Sequence, residues 1–218
     1  MLGYLKYLFV LDRPVLRPVD GNGEAVVLVH GLIHRSWVMA KLGRELCRRG
    51  YTVYLFDYRT TRGTLAMHAA EFREYLLAVA ADFKPGPIHL IAHSMGGLVA
   101  RLALGNDGML APERRGKLIF LAVPHGGSPV AAVWLRRLPG LAQLLVNCLE
   151  DLSCRNPGLA ELPRPAWETH SIAARFDRKV PLESTSYPHQ SARRVVDSGH
   201  AFVMDHPDAR RAICEILK

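Results

Sequence analysis

The sequence predicts an α/β domain built on a doubly wound, mostly parallel sheet of about six core strands. Three observations predict it. From residue 24 onward, short apolar runs alternate with longer segments of helical periodicity, the order that lays helices on both faces of a parallel sheet. The runs are continuously apolar rather than alternating, as strands covered on both faces are. The length of 218 residues suffices to bury one core without staples, so a single domain over 1–218 is expected.

The elements follow in order. "EAVVLVHG" (24–31) is Val-rich, ends in glycine and reads as the first strong strand. Residues 35–49 carry Trp37, Val38, Leu42 and Leu46 at helical spacing, and Gly50 stops them. "TVYLFDY" (52–58) is a strand. Residues 64–83 form an amphipathic helix with Leu65, Phe72, Leu76, Val79 and Phe83 on one side, closed by Pro85-Gly86-Pro87. "IHLIAH" (88–93) is a strand, followed by a helix over about 95–104, and "KLIFLAV" (117–123) is the next strand. The pattern then loosens into an apolar, helix-like stretch around 130–149 with prolines on either side. "ETHSIAAR" (168–175) and "ARRVVDS" (192–198) are further strands. A last helix runs from about Pro207 to Leu217. The N-terminal "MLGYLKYLFVLDRPVLRP" is interrupted by Lys6 and too short to span a bilayer. It is expected to lie on the core as a strand or helix.

Composition narrows the function classes. The formal net charge of +8 is mostly arginine, scattered in pairs such as Arg48-Arg49 and Arg136-Arg137. No basic run alternates with stacking aromatics, so no nucleic-acid partner is expected. A solvated basic surface with some attraction to anionic lipid interfaces is. The four cysteines match no zinc spacing, and free buried thiols are expected rather than a Cys148–Cys154 bridge. No basic n-region or small-residue cleavage site is visible, so the cytoplasm is the default compartment. A leader already removed would make the protein secreted or periplasmic.

In a doubly wound sheet, ligands bind beyond the carboxyl ends of the strands, and the polar clusters of this sequence lie there. "IAHSMGGLVAR" (91–101) puts Ser94 where a strand gives way to a helix, with small Ala92 and Gly96 on either side. An exposed nucleophile needs that arrangement, because the sharp turn brings the flanking backbones close. Ser94 as a simple helix cap is the alternative. His30-Gly31-Leu32 closes the first strong strand. The Leu32 N–H can converge with that of Met95 into an oxyanion hole. Among ten histidines, His200 in "DSGHAFVMDHP" follows the last strand and can reach back over the sheet. His125 in "VPHGGSP" is its rival as base, and His30, His89 and His93 are expected to orient backbone or fill space. Asp177 begins the loop after the fifth of these strands. It is the expected carboxylate partner of the base, with Asp197 and Asp205 as alternatives.

These segments together resemble the α/β-hydrolase-fold lipases and esterases, in particular small bacterial lipases with an A-H-S-M-G nucleophile motif. "VVLVHGL", "AHSMGGLVAR", "LAVPHGGSP", "FDRKVP" and "SGHAFVMDHP" stand in the family's order over roughly 24–217. The resemblance implies Ser94 as nucleophile, Asp177 as acid, His200 as base, and Leu32 and Met95 as oxyanion donors. It implies His125 as a residue that shapes the site, and a sheet whose first two strands are absent or irregular here. Residues 126–166 sit where the family inserts a helical cap or lid. The apolar "VAAVWLRRLPGLAQLLVNCLEDL" within it makes Trp134 and Leu138 candidates for contact with an acyl chain, a plain core helix being the alternative. The implied activity is hydrolysis of small-molecule or lipid acyl esters through an acyl-enzyme, with no cofactor or metal. Thioesterase, amidase, acyltransferase or lactonase chemistry on the same residues, or a non-catalytic binding role, stay open. Asp205, His206 and Asp208 are read as solvated loop residues rather than metal ligands.

Overall fold

A computed structural model of the chain describes residues 14–137, 148–188 and 190–218. Seven strands form one sheet: β1 (Val15–Leu16), β2 (Ala25–Val29), β3 (Thr52–Phe56), β4 (Ile88–His93), β5 (Arg115–Leu121), β6 (Glu168–Ala174) and β7 (Ala192–Val196). Their order across the sheet is β1-β3-β2-β4-β5-β6-β7. Every neighbouring pair is parallel except β1 with β3. The six anticipated strands are all present. β1 falls at the end of the N-terminal stretch expected as a strand or helix: two residues that pair antiparallel with β3 at Tyr54 and Val53, the rest of that stretch, 1–13, lying outside the described residues.

Among the described residues the helices are α1 (Ala40–Arg48), α2 (Leu65–Asp82), α3 (Met95–Leu104), α4 (Pro129–Arg137), α5 (Gly158–Glu161) and α6 (Pro207–Ile216). They cover both faces, which is why β2, β3 and β4 are buried at every position. Side chains of a strand alternate between faces, so the core splits in two. Val27, Val29, Phe56, Leu90 and Phe120 pack with Phe72, Leu76 and Val79 of α2 and Leu98 of α3. Val26, Leu28, Ile91, Ile119 and Ile172 pack with Leu42 and Leu46 of α1 and Ile213 of α6. The five apolar residues predicted on one side of α2 are all buried.

Two expectations need correction. The segment 35–49 is a 3₁₀ turn (Ser36–Met39) leading into α1. With three residues per turn instead of 3.6, Trp37 rotates off the apolar stripe and stands 72% exposed. Asp57, beyond β3, fixes this start by accepting the Ser36 N–H at 2.7 Å. The cysteines are free, but Cys154 is exposed rather than buried. The edge strand β7 carries Arg193 and Arg194, both exposed, which blunts edge-to-edge pairing. No described helix is long and apolar enough to cross a membrane.

Of the apolar stretch 130–149, α4 is the described helical part, and only Ala131 of it is buried. The segment after α5 is held by Arg101 of α3, itself buried. Arg101 donates to the carbonyls of Leu162 and Pro163 at 2.8 and 3.1 Å and to His125 Nδ1 at 3.2 Å, and its guanidinium lies over the Tyr187 ring. Removing it leaves these acceptors unpaired in the interior. Arg101→Ala is therefore expected to destabilise the fold by about 3 kcal/mol, read from the urea midpoint.

Candidate active site

Ser94 sits between the end of β4 and the start of α3, with φ 53° and ψ −129°. This is a left-handed conformation that a serine adopts only when its surroundings enforce it. They do so by close packing. A Cβ on Gly96 would stand 2.5 Å from the His30 carbonyl oxygen and 2.8 Å from that of Val29, and one on Gly97 would overlap the Val123 side chain. Gly96 lets α3 start against the end of β2, and Gly97 lets it pack on Val123 beyond β5. Gly96→Ala, which would push on backbone that cannot yield, is expected to cost about 3 kcal/mol, measured by denaturant unfolding. The Ser94 side chain makes no cap bond to the helix. Its Oγ lies 2.8 Å from His200 Nε2 instead.

His200 opens a 3₁₀ turn (His200–Phe202) after β7. Its Nδ1 is 2.6 Å from Asp177 Oδ2. An ionised carboxylate only accepts, so Nδ1 carries the proton and Nε2 is free to accept the Ser94 hydroxyl hydrogen. The Asp177 side chain is 1% exposed, and Oδ1 accepts the N–H groups of Lys179 and Val180 at 2.8 and 2.9 Å. Both carboxylate oxygens are thus engaged, which fixes the imidazole plane. Asp197 instead pairs with Arg175 at 2.5 Å and is 65% exposed. Asp205 lies 4.0 Å from Lys41.

Gly31 begins a turn closed by the His34 N–H on the Gly31 carbonyl, which leaves the Leu32 N–H unused by that turn. Met95 is the first residue of α3, where an N–H has no intrahelical acceptor. A Cβ on Gly31 would lie 2.9 Å from Ser94 Cβ, so the Leu32 segment runs directly beside the serine. The loop 57–62 holds that segment in place. Thr60 Oγ1 accepts the Ile33 N–H at 2.9 Å, Asp57 accepts from Arg35 Nε at 2.8 and 3.0 Å, and Tyr58 donates to the His30 carbonyl at 2.8 Å. Sequence reasoning passed over Asp57 and Tyr58, although both follow a strand at its carboxyl end. A cavity of about 520 Å³ opens along this loop, lined by Arg35, Asp57, Tyr58, Arg59, Met67 and His68 among others.

His125 does not hydrogen-bond Ser94. It is buried, receives Arg101 at Nδ1, and packs between Phe120 and Tyr187. The alternative of His125 as the base is corrected on that ground. Trp134 stands half exposed on α4. Leu138 lies outside the described residues. Among the described residues, no His, Cys, Asp and Glu cluster could hold a metal ion.

Burial pushes the pKa values of His68, His89, His93 and His125 below the ordinary imidazole value, and that of His30 down to about 4. These groups are neutral in the fold but protonate near pH 6.5 once unfolded, so acid favours the unfolded chain. Their contribution to stability is complete above the unfolded imidazole pKa of about 6.5 and is lost as the pH falls below it, the His30 share being gone once the pH has fallen through about 4. His30 alone contributes on the order of 3 kcal/mol. The urea midpoint is expected to drop steeply between about pH 7 and pH 4.5, and less steeply in His30→Asn.

The Alpha/beta hydrolase family model matches residues 26–212. The chain belongs to the alpha/beta hydrolase family. Methylesterase 7 of Arabidopsis thaliana is 27% identical to this alpha/beta hydrolase over 133 residues, 56% of the chain and 49% of the relative. "Probable lysophospholipase L2" of Haemophilus influenzae is 30% identical over 106 residues, 43% of the chain and 34% of the relative. The chain therefore spans about half the length of the first of these curated relatives and a third of the second. Among solved structures, mature lipase BlEst2 of Bacillus licheniformis superposes with a TM-score of 0.75 at 16% identity, covering 94% of this chain and 97% of that one. At that identity the likeness establishes the shared alpha/beta hydrolase fold.

Proposed function

We propose that this alpha/beta hydrolase cleaves carboxylic esters through an acyl-enzyme on Ser94. The observation that carries the reading is the continuous line of hydrogen bonds from Ser94 Oγ through the His200 ring to Asp177, at 2.8 and 2.6 Å. His200 Nε2 takes the hydroxyl proton as Oγ attacks the ester carbonyl. Asp177 stabilises the imidazolium that forms. The tetrahedral oxyanion rests on the N–H groups of Leu32 and Met95 at the start of α3, where the helix dipole also favours negative charge. The imidazolium then gives its proton to the departing alcohol, and water admitted along the same path hydrolyses the acyl-enzyme.

The surroundings favour apolar acyl groups. Ile33, Phe176 and Phe202 are exposed large apolar residues, each within two positions of Leu32, Asp177 or His200 in sequence. The names of the relatives, a methylesterase and a lysophospholipase, agree with an ester substrate. The test is hydrolysis of p-nitrophenyl esters of increasing acyl length, together with labelling of Ser94 by a fluorophosphonate. Turnover of medium acyl chains and a single labelled serine are expected. Absence of both turnover and labelling rejects the reading.

A further inference from the structure

His93 precedes the serine and is completely buried at the end of β4. Its Nε2 lies 3.0 Å from the main-chain carbonyl oxygen of His200, 107 positions away in sequence. A carbonyl only accepts, so Nε2 carries the ring proton and donates it. The two imidazole rings are 5.1 Å apart, tilted by 45°. On the opposite side, a Cβ on Gly31 would lie 3.0 Å from His93 Nδ1, and the His34 ring stacks at 6.0 Å. Nδ1 itself is buried without a hydrogen-bond partner among the described residues. One side chain therefore touches the turn of the oxyanion segment, is covalently next to the serine, and holds the loop that carries the histidine.

We propose that His93 is the positioning residue of the base: its Nε2–H, bonded to the His200 carbonyl, sets the place of the His200 imidazole relative to Ser94. The inference rests on the reading of Ser94 and His200 as nucleophile and base. The His200 loop leaves β7 and reaches back across the sheet, and a 3₁₀ turn alone does not fix the height of its first residue. The distance that matters is the 2.8 Å between Nε2 and Oγ. Backbone anchoring by His93 acts on that distance without occupying either ring nitrogen of His200, both of which the proton path needs. The titratable groups that face His93 are His200 from its loop, His34 from the oxyanion segment and His30 from the end of β2. Burial keeps the His93 ring neutral, so no second cation opposes the imidazolium formed on His200 during acyl transfer.

Two amide substitutions separate positioning from bulk. In His93→Gln the side-chain amide nitrogen reaches the place of Nε2 and can donate to the His200 carbonyl. In His93→Asn it reaches only the place of Nδ1. With p-nitrophenyl butyrate, His93→Gln is expected to keep kcat within about threefold of the unsubstituted protein, and His93→Asn to lose about 10²-fold with KM nearly unchanged, the scale of a misplacement of about 1 Å. The Nδ1–H resonance of His200, seen downfield by proton NMR without any substrate, is expected to persist in the Gln variant and to shift or vanish in the Asn variant. Equal kcat losses in both variants, tracking their thermal midpoints, overturn the proposal, as does an Asn variant with unchanged kcat and resonance. An unsubstituted protein that hydrolyses no ester rejects the proposed activity. The resonance contrast then decides the His93 proposal alone.

Discussion

Ser94→Ala is expected to lower kcat/KM for p-nitrophenyl esters by about 10⁵-fold or more, while the fold is retained. Only Oγ is lost. The neighbours that enforce the turn, above all Gly96 against the His30 and Val29 carbonyls, are untouched, so the backbone stays in its left-handed conformation. The thermal midpoint is expected to move by no more than about 3 °C. The residual rate reflects binding and the Leu32 and Met95 donors. Steady-state kinetics and a thermal melt of the same preparation check both statements. A variant that keeps a tenth of the original rate removes Ser94 from the proposed chemistry.

The second large effect is expected at the carboxylate. Asp177→Asn keeps the volume and still offers an oxygen to the Lys179 and Val180 N–H groups, which Oδ1 accepts now. The atom facing His200 Nδ1 then becomes an amide nitrogen that donates. Nδ1 must accept, the ring proton moves to Nε2, and Nε2 can no longer take the proton from Ser94. A loss of about 10⁴-fold in kcat is expected, with KM little changed and the fold intact. Asp197→Asn, at an exposed pair with Arg175, serves as the contrast and is expected to leave kcat near its original value. A comparable loss in Asp197→Asn would reverse the assignment of the carboxylate.

Much of the fold is legible in the sequence because a parallel strand buried on both faces leaves a signature that survives without context. "AVVLV" and "IHLIAH" are apolar throughout, and both are strands buried at every position. The rest had no such signature. β1 is two residues long and owes its existence to β3. Trp37 looked like a core residue because a 3.6-residue period was assumed where the chain winds with three. The serine and its small neighbours are legible because the turn is a local demand. His200 is legible as the base because it follows the last strand and a glycine, and its ring lies between Ser94 and Asp177. His125 proves committed to Arg101, a residue of another helix. The His93–His200 contact joins positions 107 apart, beyond the reach of any periodicity.

The distribution of the site over the sheet has a consequence for how the chain matures. Leu32 follows β2, Ser94 follows β4, Asp177 follows β6 and His200 follows β7, and β5 separates β4 from β6 in the sheet. No hairpin or single βαβ unit contains the constellation. Pairing of that kind closes long loops and is among the slower steps of folding. Compact intermediates that have assembled only the β3-β2-β4 half would carry the serine on its turn and yet be inert. Recovery of ester hydrolysis after dilution from urea is thus expected to lag the return of helical circular dichroism and to coincide with docking of the β6–β7 edge.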